Sequence, residues 1–263
     1  MSNLEHWIQE YLWRFPVHLA FIRPLELSLL QPLPFDPPVL DLGCGNGYFS
    51  KSLSLPFPNV FGLDLSHGAL IESKSLGSFQ GVVNAKAESM PFRSGQFGTV
   101  LCNSSLEHIK ELDQSLSEIH RILKPKGIFY LTLPGKRFGE MLFGSDLFQS
   151  IGFFRLSKWY GEWFSKHAKH YHIYDRDTWF EILSEHSFSI KESRDYFHRP
   201  GMHAFDLSHY YGIFSLLVKK CFGQWRLFPQ KWNWVPMTEY ILNRVQQELP
   251  EEGAHYFFSC TKC

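Results

Sequence analysis

The residues of this chain that could do chemistry are concentrated in a turn with three alternating glycines. Residues 41–47 read Asp-Leu-Gly-Cys-Gly-Asn-Gly and follow a short apolar run that predicts a buried parallel strand. Gly43 and Gly45 can adopt backbone angles closed to other residues, and without side chains they let a ligand approach the main chain. The turn opens a helix at Tyr48, whose unpaired N–H groups favour a carboxylate or a phosphate. This spacing predicts a turn built to receive a ligand.

A second acid follows at a distance that carries chemical information. Asp64 ends the apolar run 60–64 roughly 20 residues after the glycine turn, which is the separation expected for a carboxylate that accepts both ribose hydroxyls. A dinucleotide-binding fingerprint requires a third glycine at the position of Tyr48, so the match to NAD or FAD binding is poor. An adenosyl ligand without a pyrophosphate fits both observations.

Five segments in order carry a family resemblance. They are the glycine turn, Gly-Leu-Asp-Leu-Ser at 62–66, Ala-Glu-Ser-Met-Pro-Phe at 87–92, Asn-Ser-Ser-Leu-Glu-His-Ile at 103–109 and Arg-Ile-Leu-Lys-Pro-Lys-Gly at 121–127. Together they resemble the motifs of class I S-adenosylmethionine-dependent methyltransferases. The closest subgroup contains ubiquinone and menaquinone methyltransferases and many small-molecule O-methyltransferases. The resemblance covers residues 36–135 well and two later segments, 172–196 and 254–261, in outline.

The resemblance implies S-adenosyl-L-methionine as the cofactor. It also implies that the glycine turn binds the methionine half of this molecule. Asp41 would lie near the ammonium group of the cofactor, indirectly or through water. Gly43, Cys44 and Gly45 would let the backbone pass the methionine part.

The adenosine half would be held by the second and third strands. The resemblance implies that Asp64 holds the ribose, that Leu65 covers one face of the adenine, and that the backbone around Ala87 and Glu88 reaches the adenine edge. An acid at a strand end can also cap a helix or carry a surface charge, and for Glu88 both interpretations stay open. Many relatives carry an acid where Lys86 stands.

The end of the fourth strand carries the candidate catalytic residue. By the resemblance, main-chain groups of Asn103 and Ser104 would face the methionine end. The implied reaction is displacement of the sulfonium methyl by a nucleophile of the acceptor, and it needs a base only if that nucleophile is a hydroxyl. A neutral imidazole can take a proton near physiological pH, so His108 is the candidate base. The alternative is that His108 fixes the loop or touches the cofactor.

Composition excludes some classes of protein. The chain has 263 residues, enough for one large α/β domain, and 26 basic residues balance 26 acidic ones. Without a general positive field, a nucleic-acid partner is not expected. No apolar run approaches the ~20 residues that cross a bilayer, and no secretory signal is seen. Five cysteines, an odd count, indicate free thiols in a reducing compartment, so we expect a cytoplasmic protein.

No metal site is predicted from the sequence. Cys260 and Cys263 close the chain as Cys-x-x-Cys, but a zinc site needs two more ligands and none is positioned by the spacing. His167, His170 and His172 cluster in a turn that contains no acidic partner.

Strands and helices alternate along the chain, which implies a parallel sheet with right-handed crossovers. With the resemblance, this predicts a Rossmann-like three-layer α/β sandwich with a mostly parallel seven-stranded sheet. We expect strands near 39–42, 59–64, 81–84, 97–102, 127–133, 189–196 and 255–259, the last antiparallel, and helices near 47–54, 67–75, 111–123 and 176–186.

Additions to this core are expected at both ends. Residues 1–35 predict a helical lid over the cofactor, broken near Pro16 and Pro24, and residues 36–263 form the methyltransferase domain. Two insertions interrupt that domain, at about 136–171 and 197–250, and both are rich in aromatic residues. The rings could pack the inserted helices, line a cavity for an apolar substrate, or lie at a membrane surface. In the last case, anionic headgroups would meet Lys219, Lys220, Arg226 and Lys231.

These observations favour methyl transfer to a small, apolar or lipid-like acceptor, with oxygen preferred over carbon or nitrogen. Three alternatives are kept: a catalytically silent relative that only binds, an NAD-dependent oxidoreductase, and a protein methyltransferase. Peripheral membrane contact is a further alternative, and the sequence assigns neither the acceptor nor the oligomeric state.

Overall fold

The computed structural model describes residues 3–56, 58–223, 235–245 and 250–263, and these form two compact units. The first, which we call the sheet unit, consists of Gln31–Lys136, Lys166–Arg194 and His255–Cys263. The second, which we call the helical unit, contains the described residues of Met1–Leu30, Arg137–Ser165 and Asp195–Ala254.

The described residues contain one sheet of seven strands, in the order β3-β2-β1-β4-β5-β7-β6. The strands are β1 (Val39–Leu42), β2 (Val60–Asp64), β3 (Gly81–Asn84), β4 (Phe97–Asn103), β5 (Leu123–Pro134), β6 (Phe188–Tyr196) and β7 (His255–Lys262). β1 to β5 pair in parallel, and β7 is antiparallel to β5, one place in from the edge. The predicted mostly parallel, seven-stranded Rossmann-like sheet is confirmed.

Helices follow most of the strands. They are α1 (Asn3–Arg14), α2 (Leu19–Leu30), α3 (Tyr48–Leu53), α4 (His67–Leu76), α5 (Leu112–Ile122), α6 (Phe143–Ser150), α7 (Phe154–His167), α8 (Arg176–Glu185), α9 (Arg199–Phe222) and α10 (Val235–Val245).

Alternation along β1 divides the core of the sheet unit. Side chains of successive strand residues point to opposite faces, so Leu40 and Leu42 share one face and Asp41 points to the other. The apolar face packs against α5 and α8, and Trp179 of α8 is fully buried in this cluster. On the opposite face, Asp41 accepts a hydrogen bond from the hydroxyl of Ser50 in α3. The sheet is therefore covered by helices on both faces.

The strand order reverses at β1, which has β2 on one side and β4 on the other. In open α/β sheets, ligands bind outside the carboxyl ends of the strands at such a switch point. The glycine turn follows β1 directly, so the topology places it at this position.

Gly98 departs from the family pattern, in which an acid usually follows the phenylalanine of Phe97, and the fold gives a reason. A Cβ on Gly98 would lie 2.4 Å from a carboxylate oxygen of Asp36 and 2.5 Å from its carbonyl oxygen. The N–H of Gly98 also donates to the carbonyl of Pro38 at 2.9 Å. The proline-rich segment before β1 therefore passes too close to β4 for a side chain.

The helical unit is organised by buried polar side chains. Asp206 of α9 accepts hydrogen bonds from the hydroxyl of Tyr160 in α7 at 2.8 Å and from the N–H of Gly144 in α6 at 3.1 Å. Glu26 of α2 is fully buried and pairs with Arg23 at 2.6 Å, while the hydroxyl of Tyr196 donates to it at 3.1 Å. The first insertion is helical, as predicted.

Helix α2 and strand β5 differ from the prediction. The expected break at Pro24 is wrong, because α2 continues through this residue. Proline removes one backbone donor, but Pro24 is buried next to the fully buried Leu27, and this packing offsets the lost hydrogen bond. β5 begins at Leu123, earlier than expected, where its register with β4 shifts. The role of residues 1–35 as a lid stays a prediction.

A membrane-spanning helix is not found: among the described residues, every helix is too short or too polar to cross a bilayer.

An ion pair anchors the segment after β3 to α5. The guanidinium of Arg121 donates to a carboxylate oxygen of Glu118 at 2.5 Å and to the carbonyl oxygens of Phe92 and Met90 at 2.7 and 3.0 Å. Glu118 in turn accepts the N–H of Met90 at 2.8 Å. These bonds fix the segment that contains Ala87 and Glu88. The hydrogen bond from Arg121 lowers the pKa of Glu118 below its ordinary value of 4.5.

This lowered pKa predicts a pH-dependent effect of Glu118→Gln. Because the folded-state pKa lies below the unfolded one, the carboxylate stabilises the fold above about pH 4.5, and this stabilisation is lost as pH falls through the folded-state value. We expect the variant to lose about 1–2 kcal/mol of unfolding free energy at pH 7 and less at about pH 3.5, measured by chemical denaturation. The exposed Glu185→Gln serves as control. A loss that is equal at both pH values contradicts the interpretation.

Candidate functional site

The glycine turn has the backbone geometry that its sequence predicts. Gly43, Gly45 and Gly47 have φ values of +77°, +52° and +76°, which disfavour residues with a Cβ. A Cβ on Gly43 would lie 2.3 Å from the hydroxyl oxygen of Ser105, whereas one on Gly45 would meet no atom within 4 Å. Gly43 thus permits close packing against the segment after β4, and Gly45 leaves its backbone open to a ligand.

Asp64 joins the end of β2 to the glycine turn. One carboxylate oxygen accepts the N–H of Gly45 at 2.8 Å, and the other accepts the N–H of Ser66 at 2.7 Å. Each oxygen keeps a second lone pair for another donor. The carboxylate is therefore fixed in orientation and can still accept hydrogen bonds from a ligand.

Asp41 lies beneath the turn and does not reach the cavity. Its side chain is buried and accepts the hydroxyl of Ser50 at the start of α3. This contact ties β1 to the helix that follows the glycine turn. Any effect of Asp41 on a ligand would be indirect, which agrees with the role that the family resemblance implies.

Cys44 also turns away from the cavity. Its thiol packs against β2, where a Cβ on Gly62 would lie only 2.7 Å from its sulfur. Burial, together with the carboxylates of Asp41 and Asp64, raises the pKa of the thiol well above its usual range. The side chain is a neutral packing group, and only the backbone of Cys44 is available to a ligand.

Asn103 and Ser104 are held by the neighbouring strand β5. The hydroxyl of Thr132 donates to the side-chain oxygen of Asn103 at 2.8 Å, and the N–H of Ser104 donates to the carbonyl of Thr132 at 3.0 Å. Ser104 has a φ of +45°, which marks the sharp turn out of β4. These contacts position the loop that begins at Ser105.

A cavity of about 470 Å³ lies at the carboxyl ends of the strands, entirely within the sheet unit. Its wall is formed by Leu42, Gly43, Leu63, Asp64, Leu65, Ala85, Lys86, Ala87, Glu88, Ser105, His108, Ile109, Lys110, Glu111 and Tyr171. This volume lies in the range of small-molecule and cofactor sites.

The cavity brings together part of the predicted site. Of the predicted residues, Gly43, Asp64, Leu65, Ala87, Glu88 and His108 line it. Five others lie outside the lining: Asp41, Cys44, Gly45, Asn103 and Ser104. Gly45 is bonded to the wall residue Asp64, the carbonyl of Asn103 accepts the hydroxyl of the wall residue Ser105 at 3.1 Å, and the other three adjoin lining residues in sequence.

The side of the cavity that follows β2 and β3 combines an apolar surface with an ion pair. Leu65 is 68% exposed, so it presents a free apolar side chain beside Asp64. Lys86, which stands where many relatives carry an acid, lies 3.2 Å from the carboxylate of Glu88. The charge of Glu88 is thus partly balanced by Lys86 within the wall.

A distant segment closes the opposite wall. The N–H of Tyr171 donates to the carbonyl of Glu107 at 2.7 Å, and Nε2 of His172 lies 2.7 Å from the carbonyl of Ile109. Nδ1 of His108 lies 3.2 Å from the carbonyl of Lys169. Three hydrogen bonds therefore hold residues 169–172 against the short 3₁₀ turn Leu106–His108.

Glu107, His108 and His170 form a cluster at this wall. One potential ligand atom from each residue lies within 4.8 Å of the other two. Burial, with a smaller effect of His108, lowers the pKa of His170 to about 4, so its ring is neutral at neutral pH. The rings of His108 and His170 have centroids 5.2 Å apart.

Sequence reasoning missed several residues of the wall. Ser105 directly follows the predicted Asn103 and Ser104. The sequence therefore predicts the correct motif, but not which of its residues lines the cavity. Glu107 belongs to the same motif and directly precedes the predicted His108, so this adjacency was the available indication. Tyr171 is far away in sequence, and only its aromatic surroundings pointed to it.

Comparisons with known proteins agree with this geometry. Residues 40–131 match a family model described as a methyltransferase domain. The malonyl-[acyl-carrier protein] O-methyltransferase of Legionella pneumophila is 32% identical over 109 residues, which are 39% of this chain and 38% of that protein. The human mitochondrial protein named arginine-hydroxylase NDUFAF5 is 33% identical over 114 residues, 43% of this chain and 31% of that protein. The chain thus spans well under half the length of these curated relatives.

Solved structures extend the likeness to the whole fold. A SAM-dependent methyltransferase from Thermotoga maritima aligns with 99% of this chain and 98% of its own, with a TM-score of 0.58 at 16% identity. An S-adenosylmethionine-dependent methyltransferase from Mesorhizobium loti aligns with 91% of this chain and 97% of its own, with a TM-score of 0.54 at 15% identity. At such identities the likeness concerns the fold alone.

Fold, glycine turn and family match define one class of protein. Residues 40–131 match a methyltransferase domain, and the resemblance of the five motifs to class I S-adenosylmethionine-dependent methyltransferases is confirmed. The cofactor that this class implies is S-adenosylmethionine, as predicted.

The geometry of the glycine turn predicts unequal effects of two Gly→Ala substitutions. Gly43→Ala forces a side chain into a left-handed φ and against Ser105, so we expect a loss of about 2–4 kcal/mol in unfolding free energy. Gly68→Ala in α4 meets no atom within 4 Å and has no positive φ, so it should be neutral or stabilise by about 0.5–1 kcal/mol. Urea denaturation measures both, and equal stabilities would contradict the packing described for Gly43.

Proposed function

We propose that this chain transfers the methyl group of S-adenosylmethionine to a small, apolar or lipid-like acceptor, with oxygen as the preferred atom. The observation that carries the proposal is the link between Asp64 and the glycine turn. This link ties the open backbone of Gly45 to a fixed carboxylate that lines a cavity of cofactor size.

The residues present fit the cofactor. Gly45 has a backbone with no atom within 4 Å of its Cβ position, Asp64 has free lone pairs for ribose hydroxyls, and Leu65 offers an exposed apolar surface for adenine. We propose that the backbone of Gly43, Cys44 and Gly45 receives the methionine part. Ala87 and Glu88 would border the adenine edge, and the main chain of Asn103 and Ser104 would act at the methionine end.

When bound, the cofactor supplies an electrophilic methyl group on a positively charged sulfur. The chain needs to align an acceptor atom with that group and to exclude water, because charge is neutralised in the transfer and a dry, oriented site favours it. Six of the fifteen lining residues are leucine, isoleucine or alanine, among them Leu42, Leu63, Ala85 and Ile109. This apolar surface supports a compact apolar acceptor.

The wall formed by His108 and Tyr171 would face the acceptor. His108 is the imidazole that lines the cavity, and with a hydroxyl acceptor it could take the proton that is released. Its hydrogen bond to Lys169 also fits the alternative role of fixing the loop. The role of His108 as a base therefore stays a prediction.

Oxygen is favoured as the methylated atom on the evidence of a relative. The Legionella protein, which is 32% identical over 109 residues, is named a malonyl-[acyl-carrier protein] O-methyltransferase. A silent binding protein is the main alternative, since it would keep the cofactor site without turnover. An NAD-dependent oxidoreductase is less favoured because Tyr48 occupies the position of the third glycine.

Asp64→Asn tests the proposed cofactor site. Calorimetry should show that the wild-type chain binds S-adenosylhomocysteine and does not bind NAD. The variant should bind at least about 10-fold more weakly, since a hydrogen bond to a charged group contributes about 1.5–3 kcal/mol. Asp113→Asn, whose side chain is 88% exposed on α5, should bind like the wild type. Equal affinity of Asp64→Asn and wild type would remove Asp64 from the site.

We further propose that the helical unit makes peripheral contact with an anionic membrane surface, from a cytoplasmic location. Five large apolar side chains of α6, α7 and the link between them are 45–67% exposed: Leu147, Ile151, Phe153, Phe154 and Trp159. Arg155 and Lys158 lie among them. Apolar groups flanked by basic ones are typical of interfacial helices. Of the lysines and arginines named for this role from sequence, Arg226 and Lys231 lie outside the described residues, as does the side chain of Lys219.

Vesicle co-sedimentation tests this contact. The chain should sediment with vesicles that contain phosphatidylglycerol and much less with pure phosphatidylcholine. The double variant Phe154→Ser/Trp159→Ser should lose most of this binding, because apolar burial contributes about 25 cal/mol per Å². Ile71→Ser removes an equally exposed apolar side chain from α4 and should leave binding intact. If the double variant binds like the wild type, this surface does not meet the membrane.

A further inference from the structure

The cluster of Glu107, His108 and His170 has the donor set of a metal centre. Nε2 of His108 lies 3.8 Å from a carboxylate oxygen of Glu107, and the third donor, a ring nitrogen of His170, completes a group within 4.8 Å. Ligand atoms around a zinc ion lie about 2.0–2.2 Å from the metal, so neighbouring ligands are separated by somewhat over 3 Å. Small side-chain rotations would bring these three atoms to that spacing.

A second observation concerns the orientation of His108. Its Nδ1 lies 3.2 Å from the carbonyl oxygen of Lys169, and a carbonyl can only accept, so Nδ1 carries the proton in this contact. Nε2 is the ring nitrogen that faces Glu107. Metal-binding histidines are commonly fixed in this way by a hydrogen bond from the other ring nitrogen to a carbonyl.

The surroundings favour a cation. Glu107 is 2% exposed, which places a carboxylate in an environment where a nearby positive charge stabilises it. The backbone hydrogen bond between Tyr171 and Glu107 at 2.7 Å holds the two halves of the cluster together, although they are far apart in sequence. No acidic residue lies near His170 in the sequence, because only the fold brings Glu107 close to it.

We propose that Glu107, His108 and His170 bind a divalent transition-metal ion at the wall of the cavity. Imidazole nitrogens favour ions such as Zn²⁺, Fe²⁺ or Co²⁺ over Mg²⁺ and Ca²⁺, which prefer oxygen ligands. Three protein ligands leave coordination positions open, as in catalytic metal sites. Because His108 also lines the cavity, an oxygen atom of a molecule bound there can reach the ion.

This site deepens the proposed function, and its role in methyl transfer rests on that proposal. A bound ion would attract an acceptor that carries a hydroxyl or carbonyl oxygen, and it would lower the pKa of a coordinated hydroxyl. In the metal-bound form Nε2 of His108 is a ligand, so His108 would hold the ion and would not act as the base.

Metal binding can be measured without any acceptor. Untagged protein of residues 1–263 with the exposed thiols removed, Cys221→Ser/Cys263→Ser, is dialysed against Co²⁺ and examined by visible absorption. We expect one Co²⁺ per chain with bands of nitrogen and oxygen coordination, and excess Mg²⁺ should not displace it. His108→Asn, His170→Asn and Glu107→Gln should each weaken binding at least about 10-fold. His167→Asn, an exposed neighbour outside the cluster, should not change it.

The outcomes separate this site from the cofactor site. The metal proposal is overturned if the parent protein does not bind stoichiometric Co²⁺. It is also overturned if His108→Asn and His170→Asn bind Co²⁺ as tightly as the parent protein does. His170 does not line the cavity, so His170→Asn should still bind S-adenosylhomocysteine normally; loss of that binding would also contradict the proposal. If the parent protein binds Co²⁺ but not S-adenosylhomocysteine, the metal site stands and the proposed methyl transfer fails.

Discussion

The hydrogen bond from the N–H of Gly45 to the carboxylate of Asp64 is the interaction on which the site depends. At 2.8 Å it joins the turn after β1 to the end of β2, so two neighbouring strands present one continuous surface. Gly45 can make this bond because a φ of +52° turns its N–H toward β2. The same carboxylate also accepts the N–H of Ser66 at the start of α4, which fixes both oxygens. A ligand at this edge meets groups that are already oriented.

The core of the sheet unit supports this surface by dividing the strands into two faces. Apolar residues of β1 pack onto α5 and α8, while Asp41 points to α3 and ties the glycine turn to its helix. The polar groups of the candidate site therefore lie at the carboxyl ends of the strands, where the strand order reverses. The opposite wall is built differently, because it depends on hydrogen bonds between the turn Leu106–His108 and the distant residues 169–172. One wall is thus formed by residues close together in sequence, and the other by segments that are distant in sequence and meet only in the fold.

This difference explains what the sequence could predict. The glycine turn, Asp64 and the alternation of strands and helices are short-range patterns, and the fold class predicted from them is confirmed. The wall residue Tyr171 and its neighbour His170 are brought to the site by a long-range contact, which local sequence patterns do not predict. Pro24 predicted a helix break, but burial within the helical unit overrode that local preference. Asp41 and Cys44 belong to the predicted motif, yet their side chains point into the protein. The alternation of side chains along β1 turns Asp41 inward, and the close packing against Gly62 holds the thiol of Cys44.

A crystal structure with S-adenosylhomocysteine is the measurement that tests the central claim most directly. The account predicts electron density along the glycine turn, with both ribose hydroxyls within hydrogen-bond distance of Asp64 and the adenine beside Leu65. The sulfur atom should then face the wall that contains His108 and Tyr171. Density for the ligand at another place, or contacts that bypass Asp64 and the glycine turn, would contradict the account.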